Sequence, residues 1–357
     1  MAHFVETMMY VGELPWHKLG TYAGQEDVTG AEALKLAQID WKVRKAPAYA
    51  LLGHDSVSGQ PIFKAIADQF SIVRSREGEP IEAHEPLPNV TVGRVYTPLQ
   101  NSQLSELCDA LRTAAGGEVR VHTAGSLMEG RKVWILAQHA GAIVVQRRGG
   151  REDISAPFLL LHNSHDGEAH TVIQHTPVRV VCWNTLSAAL EGHSGERRIR
   201  HTACAGAKLR EATQALGYAI DYFTAYGELA NELAATPMNR EEYLRTLVTP
   251  LLTGKDDPAE AAEVASKVMA PENKGRAQTN HLNKVNELLA YFSAGKGNHG
   301  EDRFDALNAV TEFIDSQRGR IGRYKAAEAR LMESRFVSAQ FGQGAETKAR
   351  ALRLLSR

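Results

Sequence analysis

The chain has 357 residues, 43% of them hydrophobic, and a formal net charge of −1. That length and apolar share exclude a disordered tail and suffice for two domains, or for one domain with a long helical appendage. Near-neutrality excludes a global field that gathers nucleic acid, so any polyanion site has to come from local clusters of Arg and Lys.

Cys108, Cys182 and Cys204 are odd in number and widely spaced, which does not suit a secreted disulfide framework and predicts a reducing, cytoplasmic setting. The opening MAHFVETMMYVGELPWHKLG has no basic n-region leading into an apolar h-region, and no later run has the length and apolarity of a membrane span. A soluble, unprocessed chain without a membrane partner is expected.

In chain order, GELPWHKLGTYAG is turn-rich and reads as an N-terminal arm, with Trp16-His17 packed over a neighbour or into a site. The spacing of Ala33, Leu34 and Ala37 then predicts a short helix over 30–38. From Trp41 to Val73, short stretches of alternating polarity separated by Gly, Asp or Pro predict two or three antiparallel strands. A helix is expected over 104–115, followed by strands over 118–124, 132–138, 142–147, 158–162, 169–175 and 178–183. Asp166-Gly167 closes one hairpin because this pair tolerates positive φ. Asn184 or Thr185 caps a helix running to Leu190.

Beyond Ala203 strand signals largely vanish. Apolar residues at helical spacing predict helices over 209–234, 240–248, 258–269, 279–292 and 303–318, with a basic tail carrying Lys348, Arg350, Arg353 and Arg357. The expected architecture is α+β: a mixed, largely antiparallel sheet body over 1–202, with its N-terminal arm, and a helical region over 203–357.

The stretch from Leu159 to Leu190 concentrates polar chemistry. Six of the chain's fourteen histidines, His162, His165, His170, His175, His193 and His201, lie between His162 and His201. His162 and His165, with His201 and Cys204, form two pairs at a spacing that zinc sites use, although neither cysteine belongs to a CxxC pair. His162, His165 and Asp166 could instead serve a metal-dependent phosphodiesterase as ligands or as acid and base. Asn163, Ser164 and Asp166 are also ordinary turn formers, and Cys182 sits on an apolar strand face as an inert core thiol would. No Walker loop and no G-x-G-x-x-G between a strand and a helix is present, so neither ATP nor a dinucleotide cofactor is expected.

The basic clusters carry more information. Arg147 and Arg148 lie in a QRRGGR segment that reads as a hairpin tip, and Arg179 points out of a strand. Arg197, Arg198, Arg200 and His201 follow the short capped helix; guanidinium groups bind phosphates by forked hydrogen bonds.

Taken together, ETMMYVGELPWHKLGT, TAGSLMEGRKVWILAQ, LLLHNSHDG, PVRVVCWNTLSAAL, RRIRHT, DALNAVTEFIDSQRGR and SAQFGQGAETKARAL resemble the domain-of-unknown-function 932 family, also called phage/plasmid-like proteins. The resemblance runs from Glu6 nearly to the C-terminus; GNHGEDRF departs from the Gly-Thr-aromatic sequence that the family pattern places before Asn-Ala-Val. It implies a protein of mobile elements and no established catalytic activity. Combined with the arginine clusters, the expected function is DNA binding on a groove of a curved sheet, as in single-strand annealing or recombination mediation. The competing expectations are the phosphodiesterase above and a protein-binding scaffold. A homo-oligomer is the expected assembly, with heterologous contacts supplied by the helical half.

Overall fold

The computed structural model describes residues 5–12, 20–24, 27–114, 118–179, 196–205, 207, 216–270, 275–316 and 343–356. The chain forms two units interleaved in sequence. The first takes Met1–Ala140, Leu159–Gln174 and Glu196–Gly217, and the second takes Gly141–Phe158, His175–Gly195 and Tyr218–Arg357.

The first unit begins with β1 (Val5–Tyr10), β2 (Thr21–Tyr22) and α1 (Gly30–Leu36). Thr29 and Glu32 form a reciprocal capping box at the start of α1: the Thr29 hydroxyl accepts from the Glu32 N–H at 3.2 Å, and the Glu32 carboxylate accepts from the Thr29 N–H at 2.9 Å. There follow β3 (Lys42–His54), β4 (Pro61–Ser75), β5 (Glu85–Pro86), β6 (Val92–Gly93), α2 (Asn101–Ala114), β7 (Val119–Leu127) and β8 (Lys132–His139). Leu104, Leu107, Cys108 and Leu111 recur at helical spacing and form the buried face of α2.

Two sheets result. In the larger, the strand order is β12-β11-β10-β8-β7-β1-β2, where β10 is Arg151–Ser164, β11 is Thr171–Arg179 and β12 is Glu196–Ile199. β7 and β8 form an antiparallel hairpin in which Val119 faces His139 and Leu127 faces Lys132, and β1 lies antiparallel on β7 with Met9 opposite Ala124. Gly125 permits this approach, because a Cβ there would lie 2.4 Å from the Trp134 ring and 2.5 Å from the Thr7 carbonyl. The smaller sheet is the β3–β4 ribbon, joined near its base by β5 and β6, both on β4. Ile39, Trp41, Leu104, Leu111, Val121, Ile135, Leu159 and Ile173 belong to one core.

In the second unit, β9 (Ile143–Arg147) and the first residues of β10 make a hairpin with Arg147 opposite Arg151; the remainder of β10 lies in the first unit. Its helices are α3 (Leu216–Ala235), α4 (Arg240–Tyr243), α5 (Thr249–Thr253), α6 (Pro258–Met269), α7 (Arg276–Ala294), α8 (Arg303–Ser316) and α9 (Gln343–Leu355). A π-helical turn, Leu244–Val248, joins α4 to α5. Tyr222, Tyr243, Leu247, Phe292, Phe304, Val310 and Leu352 form a separate core, with the Tyr243 and Phe292 rings stacked at 4.4 Å.

The α+β class, the largely antiparallel sheets and the helical C-terminal half agree with the sequence reading. Residues 41–73 make two antiparallel strands, within the expected two or three, and they are long because Pro47 and Gly53 are absorbed at register irregularities. Two elements differ. Glu196–Ile199 is a strand that the sequence reading did not predict. The expected basic tail is the helix α9, in which Ala351, Leu352 and Leu355 are buried at helical spacing. Lys348, fully buried, donates to Asp315 at 2.5 Å, and Arg350 lies 2.6 Å from Asp256. Trp16, Cys182, Trp183, the expected helix from Asn184 and Thr185, and most of the expected strand over 178–183 lie outside the described residues. So does Arg357.

Candidate functional site

Most of the polar residues around the β10–β11 hairpin are interior, although Glu168 is exposed. His162, Asn163, Ser164, His165, Asp166, Thr171 and His201 are all buried, as is Lys132 on β8. Asn163, Ser164, His165, Asp166, Thr171 and His201 are held by hydrogen bonds, as buried polar groups require.

Asn163 donates from Nδ2 to the Leu99 carbonyl at 3.2 Å and accepts at Oδ1 from the Thr171 hydroxyl at 2.7 Å. The Thr171 hydroxyl also lies 3.4 Å from Nε2 of His201. The His201 ring stacks on Tyr96 at 4.8 Å, and the Tyr96 hydroxyl donates to the Ser164 carbonyl at 2.9 Å. Asp166 accepts the Ser164 hydroxyl on one oxygen together with the Glu168 N–H at 3.0 Å, while its other oxygen is 3.8 Å from Nζ of Lys132. Gly167 follows at φ 76°, the positive value expected for this turn.

The network fixes one tautomer. Asn101 donates from Nδ2 to the Ile39 carbonyl at 2.8 Å, so its Oδ1, 2.9 Å from Nε2 of His165, accepts from that nitrogen. His165 thus carries a proton on Nε2, and its ring lies 5.3 Å from that of Trp41. Burial is the main reason that His162 and His165 are both pushed down to about 3; the Lys132 charge adds to this at His162 and the other histidines add to it at His165. Burial likewise lowers His201 to about 4, against a backbone hydrogen bond to Thr97 and the charge of Asp166.

These properties fit a rigid scaffold better than a reacting centre. A phosphodiester would need access to His162, His165 or Asp166, and all three are buried. Cys204 is exposed, whereas His201 faces inward. Among the described residues no group of three or more His, Cys, Asp or Glu is disposed to hold a metal ion.

The arginines separate into two kinds. Arg147 is buried: its Nη2 donates to Asp302 at 3.0 Å and to Asp305 at 2.5 Å, its Nη1 is 3.7 Å from Asp153, and its guanidinium lies 5.1 Å from the Phe304 ring centre. It is the internal counter-ion of three carboxylates rather than a hairpin-tip phosphate contact. Arg148 does sit exposed at that tip, beside Gly149 and Gly150, both at positive φ. Arg179 ends β11, and its side chain lies outside the described residues.

Arg197 and Arg198 are exposed on β12, which ends the strand order of the larger sheet, and Arg200 is exposed just beyond it. In the pairing with β11, Arg197 is opposite Ile173 and Arg198 opposite Val172, both buried residues. Among the described residues neither Arg197 nor Arg200 has an acidic partner within ion-pair distance, unlike Arg74, Arg112, Arg147, Arg151 and Arg350. His201, buried directly after Arg200, anchors the segment from beneath: its carbonyl accepts from the Thr97 N–H at 3.0 Å. Its role is therefore that of an anchor rather than a phosphate contact.

Sequence reasoning missed Lys132, Tyr96, Asn101 and Thr171 as parts of this scaffold. A lysine in GRKVWIL at the start of a strand reads as exposed, and only the pairing of β8 inside the sheet buries it.

No helix among the described residues is long and apolar enough to cross a membrane. No curated protein and no solved structure matches the chain. The profile of one family, Domain of unknown function (DUF932), matches residues 90–341, which takes in the polar scaffold and the arginine-bearing strand and leaves β1 to β5 outside. The chain therefore belongs to the DUF932 family.

Proposed function

We propose that this protein binds single-stranded nucleic acid through Arg197, Arg198 and Arg200. The observation that carries the reading is the exposure of these three arginines within four residues, on and just after the last strand of a sheet whose interior is fixed by hydrogen bonds. Exposed guanidinium groups present forked donors to phosphate oxygens, and among the described residues Arg197 and Arg200 have no carboxylate within ion-pair distance. A strand anchored by the His201–Tyr96–Ser164 contacts holds them with little reorganisation.

Nothing here reads a base edge, so recognition is by the phosphate backbone and independent of sequence. An annealing or recombination-mediating role in a cytoplasmic mobile-element setting is the biological form of this activity.

The test is fluorescence anisotropy with labelled single- and double-stranded oligonucleotides of mixed sequence and nuclease-treated protein. The expected result is preferential binding of single strands, weakened at least tenfold when Arg197, Arg198 and Arg200 are all replaced by Ala. Absence of binding at low salt, or binding indifferent to the triple substitution, overturns the proposal.

A further inference from the structure

The first unit carries an element that nucleic-acid binding does not use. β3 and β4 form an antiparallel ribbon in which Tyr49 faces Ala65, Leu51 faces Phe63 and Gly53 faces Ile62. β5 and β6 pair with β4 only at Gln69, Phe70, Val73 and Arg74, so among the described residues the outer part of the ribbon has no third strand.

One face of that outer part is apolar, and the other carries isoleucines on either side of Lys64. Residues opposite one another share a face, so Tyr49, Leu51 and Phe63 lie together, exposed by 58%, 55% and 59%. Ile62 and Ile66 lie on the other face, 45% and 44% exposed, with Leu52 at the register irregularity, 63% exposed. A two-stranded ribbon is marginally stable alone, and apolar patches of this kind mark an interaction surface.

The sequence of the ribbon narrows what covers it. From Ala46 to Gln69 the only formal charges are Asp55, Lys64 and Asp68, which offers a polyanion no attraction. Extension by an added strand is also disfavoured: Pro47 lacks an N–H, and the irregularities at Pro47/Tyr49 and Leu51/Gly53 break the outer edge of β3. Face-to-face packing remains. Asp55 occupies the tip, where its carboxylate holds the turn through Ser58, whereas Lys45 and Arg94 lie at the base, where Lys45 donates to the Arg94 carbonyl at 2.7 Å and two cations outnumber Asp68, which is 3.9 Å from Arg94.

We propose that the β3–β4 ribbon is a self-association arm, packed antiparallel against the same ribbon of a second copy of this chain. A two-fold axis through the Tyr49–Leu51–Phe63 face brings two copies of one apolar surface together, as an isologous contact requires. It also places the Asp55 tip of each copy against the Lys45–Arg94 base of the other. A net charge of −1 leaves no long-range repulsion between copies.

Sedimentation velocity of the full chain over a concentration series tests this. The wild-type chain is expected to dimerise reversibly. Leu51→Ser with Phe63→Ser is expected to weaken the dimer roughly tenfold or more, with the thermal midpoint of the dilute protein unchanged because both side chains are exposed. Asp55→Lys and Arg94→Glu should each weaken it, and an equimolar mixture of the two variants should recover it, since both tip-to-base contacts are then of opposite charge. A wild-type chain that stays monomeric throughout, a dimer indifferent to the double substitution, or a mixture that fails to recover overturns the proposal.

Discussion

Each buried charge or imidazole in this protein is a commitment whose removal has a definite sign. His162, His165 and His201 have folded pKa values of about 3, 3 and 4, below the ordinary imidazole value of 6.5. The unfolded chain therefore takes up these protons first. Stability from the neutral rings is complete above the ordinary value and is lost as pH falls from there towards the folded values. With three protons involved, the steepest slope is about 4 kcal/mol per pH unit. Urea unfolding across this window should show that fall, and His162→Gln should reduce the slope by one proton; a flat profile would show that the rings are accessible. Arg147→Ala leaves Asp302 and Asp305 buried without their cation. Asp302 is already shifted upward by burial, and the expected loss is roughly 3–5 kcal/mol in urea unfolding. A loss below about 1 kcal/mol would mean that the pair is solvated.

Elements report how local sequence and tertiary pairing share control of the fold. The Thr29–Glu32 capping box is written in the sequence, and Thr29→Ala should cost about 1 kcal/mol, measured by thermal or urea unfolding. No change would show that α1 is held by packing alone. Periodicity made α1, α2, α6, α7 and α8 legible to within a few residues, because their apolar positions recur on one face. β12 was not legible. Its ERRI sequence has one apolar residue, Ile199, and only pairing with β11 makes it a strand. α9 was hidden by its charges, since Lys348 reads as solvated until Asp315 on α8 is brought to it. The polar turn at Asp166-Gly167 was recognisable from residue type, but its burial was not: nothing local tells that Tyr96 and Asn101 come over it from distant sequence. The same limit divided the arginines. Arg147 and Arg148 are adjacent and alike in sequence, and only the placement of Asp302 and Asp305 turns the first inward.

At the scale of the molecule, a formal charge of −1 means that the proposed affinity for a polyanion would be local to the arginine-bearing strand. Such binding depends on salt through the few phosphates neutralised and not through a global field. The proposed packing of the β3–β4 ribbon would add a separate means of bringing copies together, and the two proposals combined predict multivalent binding along one strand, with avidity set by the spacing between copies.

The most direct measurement of the central claim is the salt dependence of single-strand affinity for the wild-type chain and for the triple variant Arg197→Ala, Arg198→Ala, Arg200→Ala. The slope of log affinity against log salt should become shallower by roughly 2, the contribution of three phosphate contacts on a single strand. An unchanged slope, whatever the change in affinity, would contradict the account, because it would show that these arginines do not neutralise phosphates.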